Sequence, residues 1–132
     1  MILARAVHRD VISIMKSKEL HRELRQRILN LAGVTEQQNA GIHEDAFFVG
    51  RTMFMHIHGH GHCDIRLSKG DQERVLAEGK ARPHRWSPET GYVTSMVDDE
   101  RDLEPAMDLI RMSHQYFSGR ANERETDATP KQ

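Results

Sequence analysis

Polar and apolar residues alternate on both sides of the short run Gly59-His60-Gly61. Met53, Met55 and Ile57 alternate with Phe54, His56 and His58 before it, and Cys63, Ile65 and Leu67 with His62, Asp64 and Arg66 after it. Period-two alternation marks a half-buried strand, because successive side chains point to opposite faces. The pattern predicts a β-hairpin over about 47–67 with a three-residue loop, glycine being available where φ must be positive. Pairing His58 with His62 sets the register. Ile57 then faces Cys63, His56 faces Asp64, Met55 faces Ile65, Phe54 faces Arg66 and Met53 faces Leu67. One face is apolar, and the other carries His56, His58, His62, Asp64 and Arg66. A slip of one residue would mix the two sets.

Elsewhere the spacing changes to that of helices. Val7, Val11, Ile14 and Met15, then Leu20, Leu24, Ile28 and Leu31, predict helical structure over 3–32. Ser17 can cap a second helix within it, and Gly33 is a natural stop. Residues 34–45 are polar and read as a loop. Ser68, with Asp71 three residues on, predicts the N-terminus of a short helix that Gly79 ends. Residues 82–91 hold two prolines and read as a loop. Tyr92 to Val97 is β-prone. A last helix begins near Asp102, with Pro105 in its first turn, and Gly119 stops it. No large apolar side chain follows, which predicts a disordered tail over 119–132.

The expected architecture is a single α+β domain over 1–118, with an N-terminal helical segment at 3–32 and a core at 47–118. It is a small antiparallel sheet built on the central hairpin, with helices packed on its apolar face. The histidine face is left for solvent, a pocket or a partner.

Composition narrows the function classes. The chain has 132 residues, enough for one domain with a real core. Lys plus Arg is 19 and Asp plus Glu is 20, a formal net charge of −1, so there is no basic excess for nucleic acid. No stretch approaches the roughly 20 apolar residues that span a bilayer, and charge interrupts the first ten residues too early for a secretory leader. One cysteine excludes an internal disulfide and fits a reducing cytoplasm.

The chemistry sits on the histidine face. Residues 55–66 hold four of the nine histidines. Histidines at i and i+2 of a strand share a face, so His56, His58 and His62 are candidate ligands for a divalent transition metal: zinc, nickel, copper or iron. Asp64 can ligate too, or orient an imidazole. Without a metal, His56 or His58 can act as a general base, Asp64 can fix its tautomer, and Arg66 can hold an anionic oxygen. His84, Trp86 and Tyr92 are candidates for contacting a small molecule. The Gly50-x₅-His56-x-His58-x₃-His62 spacing also imitates the first cupin motif, with histidine where cupins place glutamate. A plain polar sheet face remains the alternative, as does a protein-interaction surface; a homodimer fits any of these. His60 reads as exposed loop, and His114 as a hydrogen-bonded core histidine.

The stretch from His56 to Val97, followed by Asp102 to Phe117, resembles the luciferase-domain family, small bacterial and fungal proteins labelled after the fungal luciferases. The resemblance rests on His56 and His58, Asp64 to Leu67, Gly79, Pro83-His84, Gly91-Tyr92-Val93 and Ser113 to Phe117. It covers roughly residues 48–117. It implies a compact α+β fold and an enzyme that oxidises a small enolic or phenolic molecule with oxygen. The fungal enzymes are longer and membrane-associated, and these residues include no hydrophobic anchor, so the resemblance points to a substrate other than the luciferin.

Overall fold

The computed structural model describes residues 17–84 and 90–128. Its centre is a six-stranded antiparallel sheet of order β1-β2-β3-β4-β6-β5. The strands are β1 (Val34–Asn39), β2 (Glu44–Val49), β3 (Thr52–His58), β4 (His62–Arg66), β5 (Arg82–Pro83) and β6 (Tyr92–Met96). Helix α1 covers residues 17–29, α2 is Lys69–Ala77 and α3 is Leu103–Ala128. Residues 3–16 of the expected N-terminal helical segment lie outside the described residues. Among those described, no helix is long and apolar enough to cross a membrane.

The central hairpin forms in the expected register: Met55 pairs with Ile65, His56 with Asp64, Ile57 with Cys63 and His58 with His62. Gly59 has φ +60°, and Gly61 is needed for a different reason. A Cβ on Gly61 would stand 2.2 Å from the Val97 carbonyl oxygen, because the Val97 N–H donates to the Gly61 carbonyl across the hairpin tip. Met55, Ile57, Cys63 and Ile65 are fully buried against Leu24 and Ile28 of α1 and Met107 and Ile110 of α3. Burying each large side chain contributes about 1.5–3 kcal/mol.

Three local expectations are corrected. First, the segment 47–58 is not one strand. Gly50, at φ +60°, opens a two-residue loop that folds β2 back onto β3, and Val49 pairs with Thr52. Second, residues 34–45 are not a loop: β1 occupies the sheet edge, paired with β2 from Val34↔Val49 to Asn39↔Glu44. Its polar sequence hid it, since an edge strand buries little and takes its backbone hydrogen bonds from one neighbour. The Arg25 guanidinium also grips Glu36 from α1 at 2.6 and 2.5 Å. Third, Phe47 pairs with Met55 while Phe48 pairs with Met53, so Phe54 is the extra residue of a β-bulge. Phe54 is fully buried and Met53 only partly, so Phe54 takes the core position expected for Met53.

The ends of the helices follow simple chemistry. Ser68 accepts the Asp71 N–H at 3.2 Å and caps α2. Asp99 and Asp102 cap each other's backbone ahead of α3. Glycine does not end α3: the helix passes through Gly119 to Ala128, where a disordered tail was expected from 119. Two polar groups on α3 anchor it. The buried Ser113 hydroxyl lies against the carbonyl oxygens of Phe54 and Arg66, where the bulge leaves the β3–β4 ladder open. His114 reaches the Ala32 carbonyl at 2.7 Å, hydrogen-bonded as expected but half-buried rather than in the core. The helices thus seal one face of the sheet and leave the histidine face outside the main core.

Candidate functional site

Asp64 is 2% exposed, on β4 at the middle of the sheet. A buried carboxylate is costly unless hydrogen bonds or opposite charge surround it. Here the sheet order supplies both. His56 comes from directly opposite on β3, and Thr94 from directly opposite on β6. His56 Nε2 lies 3.0 Å from Oδ2, Thr94 Oγ1 donates to Oδ1 at 2.7 Å, and His62 Nε2 lies 3.2 Å from Oδ1. His58 and His84 bring their Nε2 atoms to 3.3 and 3.7 Å from Oδ2. Four imidazoles therefore surround one carboxylate.

Burial by itself would raise the carboxyl pKa. Hydrogen bonds from His56 and Thr94, with positive charge on His56 and His62, outweigh it and hold the group at about 2. Asp64 is an anion at any ordinary pH. The cluster is graded in depth. The side chains of His56 and His84 are 12% and 14% exposed, whereas those of His58 and His62 are 43% and 44% exposed. An inner set thus lies beneath an outer pair. The rings pack edge to face, His56 with His58 at 4.6 Å and His58 with His62 at 5.6 Å between centroids. Among the described residues, His56 Nδ1 is buried without a hydrogen-bond partner.

Tyr92 completes the wall, its ring 5.5 Å from His56 and 5.6 Å from His84. Burial pushes its phenol above its ordinary pKa; Arg66 opposes the change, and Asp64 and Glu44 add to it. Arg66 itself is placed otherwise than expected. The register sets it opposite Tyr92, but its guanidinium lies over the Phe117 ring of α3, 4.9 Å from the centroid. Arg66 spends its charge on an aromatic face and on the edge of the helix layer. Trp86 lies outside the described residues. Cys63 points into the core, where burial and the Asp64 charge push its thiol up to about 12.

The expected metal trio His56, His58 and His62 is not one of the convergent sets among the described residues; His58 and His62 lie against different oxygens of Asp64. Two other sets bring their ligand atoms within 4.8 Å of one another: His56, Asp64 and His84, and Glu44, His56 and His58. Neither Glu44 nor Thr94 stood out in the sequence. Thr94 shares a strand face with Tyr92 by simple alternation, but only the β4–β6 pairing brings it to Asp64. Glu44 lies opposite His58 on β2, a strand whose start the polar run before Phe47 concealed. A second histidine–acid contact, His21 to Asp45 at 2.8 Å, lies away from this cluster, beside a cavity of about 520 Å³ that also takes in His43 and His60.

No curated protein and no solved structure gives a significant match to the chain. A family model described as Luciferase domain matches residues 51–113, the span from the start of β3 to Ser113. That span contains Asp64, Thr94, Tyr92 and all four clustered histidines, so the segment that builds the site is the segment that matches the luciferase domain.

Proposed function

We propose that the Asp64 cluster is a site for a small enolic or phenolic molecule, with the outer histidines taking the proton and the inner residues holding them in place. The observation that carries this reading is the graded cluster: a buried, permanently ionised Asp64 beneath two imidazoles that are more than 40% exposed. An imidazole whose Nε2 faces a carboxylate is held in one orientation, with Nδ1 left to accept a proton from a ligand. His58 and His62 both have this arrangement. Tyr92 offers a ring on which a planar ligand can rest and a phenol that stays protonated and can donate. Arg66 has no place in this reading, because its guanidinium is committed to Phe117.

The partner in this reading is a small molecule and not nucleic acid, in keeping with the formal net charge of −1. A reducing cytoplasm suits the single buried cysteine. The match to the luciferase domain is consistent with oxidation of such a molecule, but fold does not fix chemistry, and the proton-transfer site is what the residues support.

The test uses 4-nitrocatechol, whose absorption moves to longer wavelength when its phenol ionises. Chelator-treated, untagged protein is titrated with it at a pH where the free phenol is mostly protonated. Saturable appearance of the ionised spectrum, lost in the double variant H58A/H62A, is expected. No binding, or binding that the double variant leaves unchanged, refutes the reading.

A further inference from the structure

We infer that the inner set His56, Asp64 and His84 is a binding site for one divalent first-row transition metal ion. The inference takes from the proposed function only that the Asp64 cluster is the functional site; it does not require the phenolic ligand.

The first argument is a surplus of imidazoles at one atom. Oδ2 of Asp64 faces the Nε2 atoms of His56, His58 and His84 at 3.0, 3.3 and 3.7 Å. A carboxylate oxygen has two lone pairs, and here only His56 is hydrogen-bonded to it, so three rings crowd an atom that serves one of them. Oδ1 is already served by Thr94 and His62. A cation set among these atoms would use the lone pairs of oxygen and nitrogen together and remove the conflict.

The second argument is spacing. Bonds of 2.0–2.1 Å put neighbouring ligand atoms about 2.9 Å apart at an octahedral corner and about 3.3 Å apart in a tetrahedron. The His56–Asp64 separation of 3.0 Å falls in that range, and the His84–Asp64 separation of 3.7 Å lies just above it. All three ligand atoms lie within 4.8 Å of one another. Small movements of the His84 ring would close the set.

Burial and charge favour the same three residues. Their side chains are 12%, 3% and 14% exposed, so a bound ion would be largely shielded from water. The Arg66 guanidinium, whose charge would repel a cation, lies over Phe117. The competing set, Glu44, His56 and His58, relies on the more exposed His58. Two imidazoles and one carboxylate leave coordination positions open, the donor pattern that suits iron(II) in oxygen-using sites and zinc in hydrolytic ones.

Cobalt(II) is the probe, added to chelator-stripped, untagged full chain and followed by calorimetry and by its visible bands. One equivalent should bind. H84A and D64N should each weaken binding by at least about tenfold, while E44Q and H62A stay within about threefold. H84A changes a residue just beyond the short edge strand β5, so it keeps the test valid should D64N misfold, with circular dichroism as the check on folding. Binding well below one equivalent, wild-type affinity in H84A, or equal losses in H62A or E44Q would overturn the assignment. Displacement of cobalt by zinc, or by iron(II) under nitrogen, identifies the preferred ion, and displacement by neither also overturns it. No phenol is present, whereas the nitrocatechol titration uses metal-free protein, so each idea can fail while the other stands.

Discussion

Replacing Asp64 by Asn removes the charge at the centre of the cluster and keeps its shape. The carboxyl is held at about 2 against an ordinary value of 3.8. The difference corresponds to about 2 kcal/mol of folding stability, since a tenfold change in proton affinity is worth about 1.4 kcal/mol. The sign follows from which state binds the proton more weakly. A depressed native pKa means the stability is fully present above 3.8 and is lost as pH falls towards 2. Roughly half is gone at pH 3, because the unfolded carboxyl is by then largely protonated while the native one is still ionised. At pH 6, D64N should therefore unfold about 2 kcal/mol more easily than wild type, a drop of about 7 °C in Tm for a chain of this size. The gap should narrow to about 1 kcal/mol at pH 3. Urea denaturation at several pH values, with chelator present, measures both quantities. A gap that stays constant from pH 6 to pH 3, or no gap at pH 6, would refute the view that four imidazoles and Thr94 stabilise a buried anion.

Other expected outcomes follow from single contacts. Gly61→Ala would set a Cβ 2.2 Å from the Val97 carbonyl oxygen, so the hairpin tip must part from β6; a loss above about 2 kcal/mol in urea denaturation is expected, and a loss below about 0.5 would contradict the close approach. Ser113→Ala leaves the Phe54 and Arg66 carbonyls without the hydroxyl at the bulge, costing about 1–3 kcal/mol by the same assay. Cys63, buried and with its thiol pushed up to about 12, should resist iodoacetamide at pH 8 in native protein and be fully alkylated in denaturant, as mass spectrometry would show. Arg25→Gln breaks the two-pronged grip on Glu36, so hydrogen exchange should quicken at the amides of β1 while those of β3 and β4 keep their protection.

The register of the β3–β4 hairpin was a local property and could be read from the residues. Alternation of period two, a glycine-bracketed loop and one apolar face admit a single pairing, and that pairing puts His56 opposite Asp64 and His58 opposite His62. The cap at Ser68, the start of the last helix near Asp102 and the strand at Tyr92–Met96 were local in the same sense. What escaped the sequence depended on partners far along the chain. Strand β1 is polar and exists because β2 offers it hydrogen bonds. The Phe54 bulge arises from pairing with Phe47 and Phe48, and it moves one side chain into the core against the alternation. Arg66 was expected among the histidines, but the packing of α3 put Phe117 within its reach.

The site divides in the same way. Alternation alone gathered His56, His58, His62 and Asp64 onto one face. It could not say that Asp64 would be the centre of the cluster. That required β6 to pair with β4 and bring Thr94, and the chain after β5 to return with His84, twenty residues beyond Asp64. Hairpin register is set by neighbours a few residues apart, whereas the convergence of imidazoles on one carboxylate is set by strand order. Strand order is a property of the folded sheet, decided by which surfaces bury most together, and no single segment carries it.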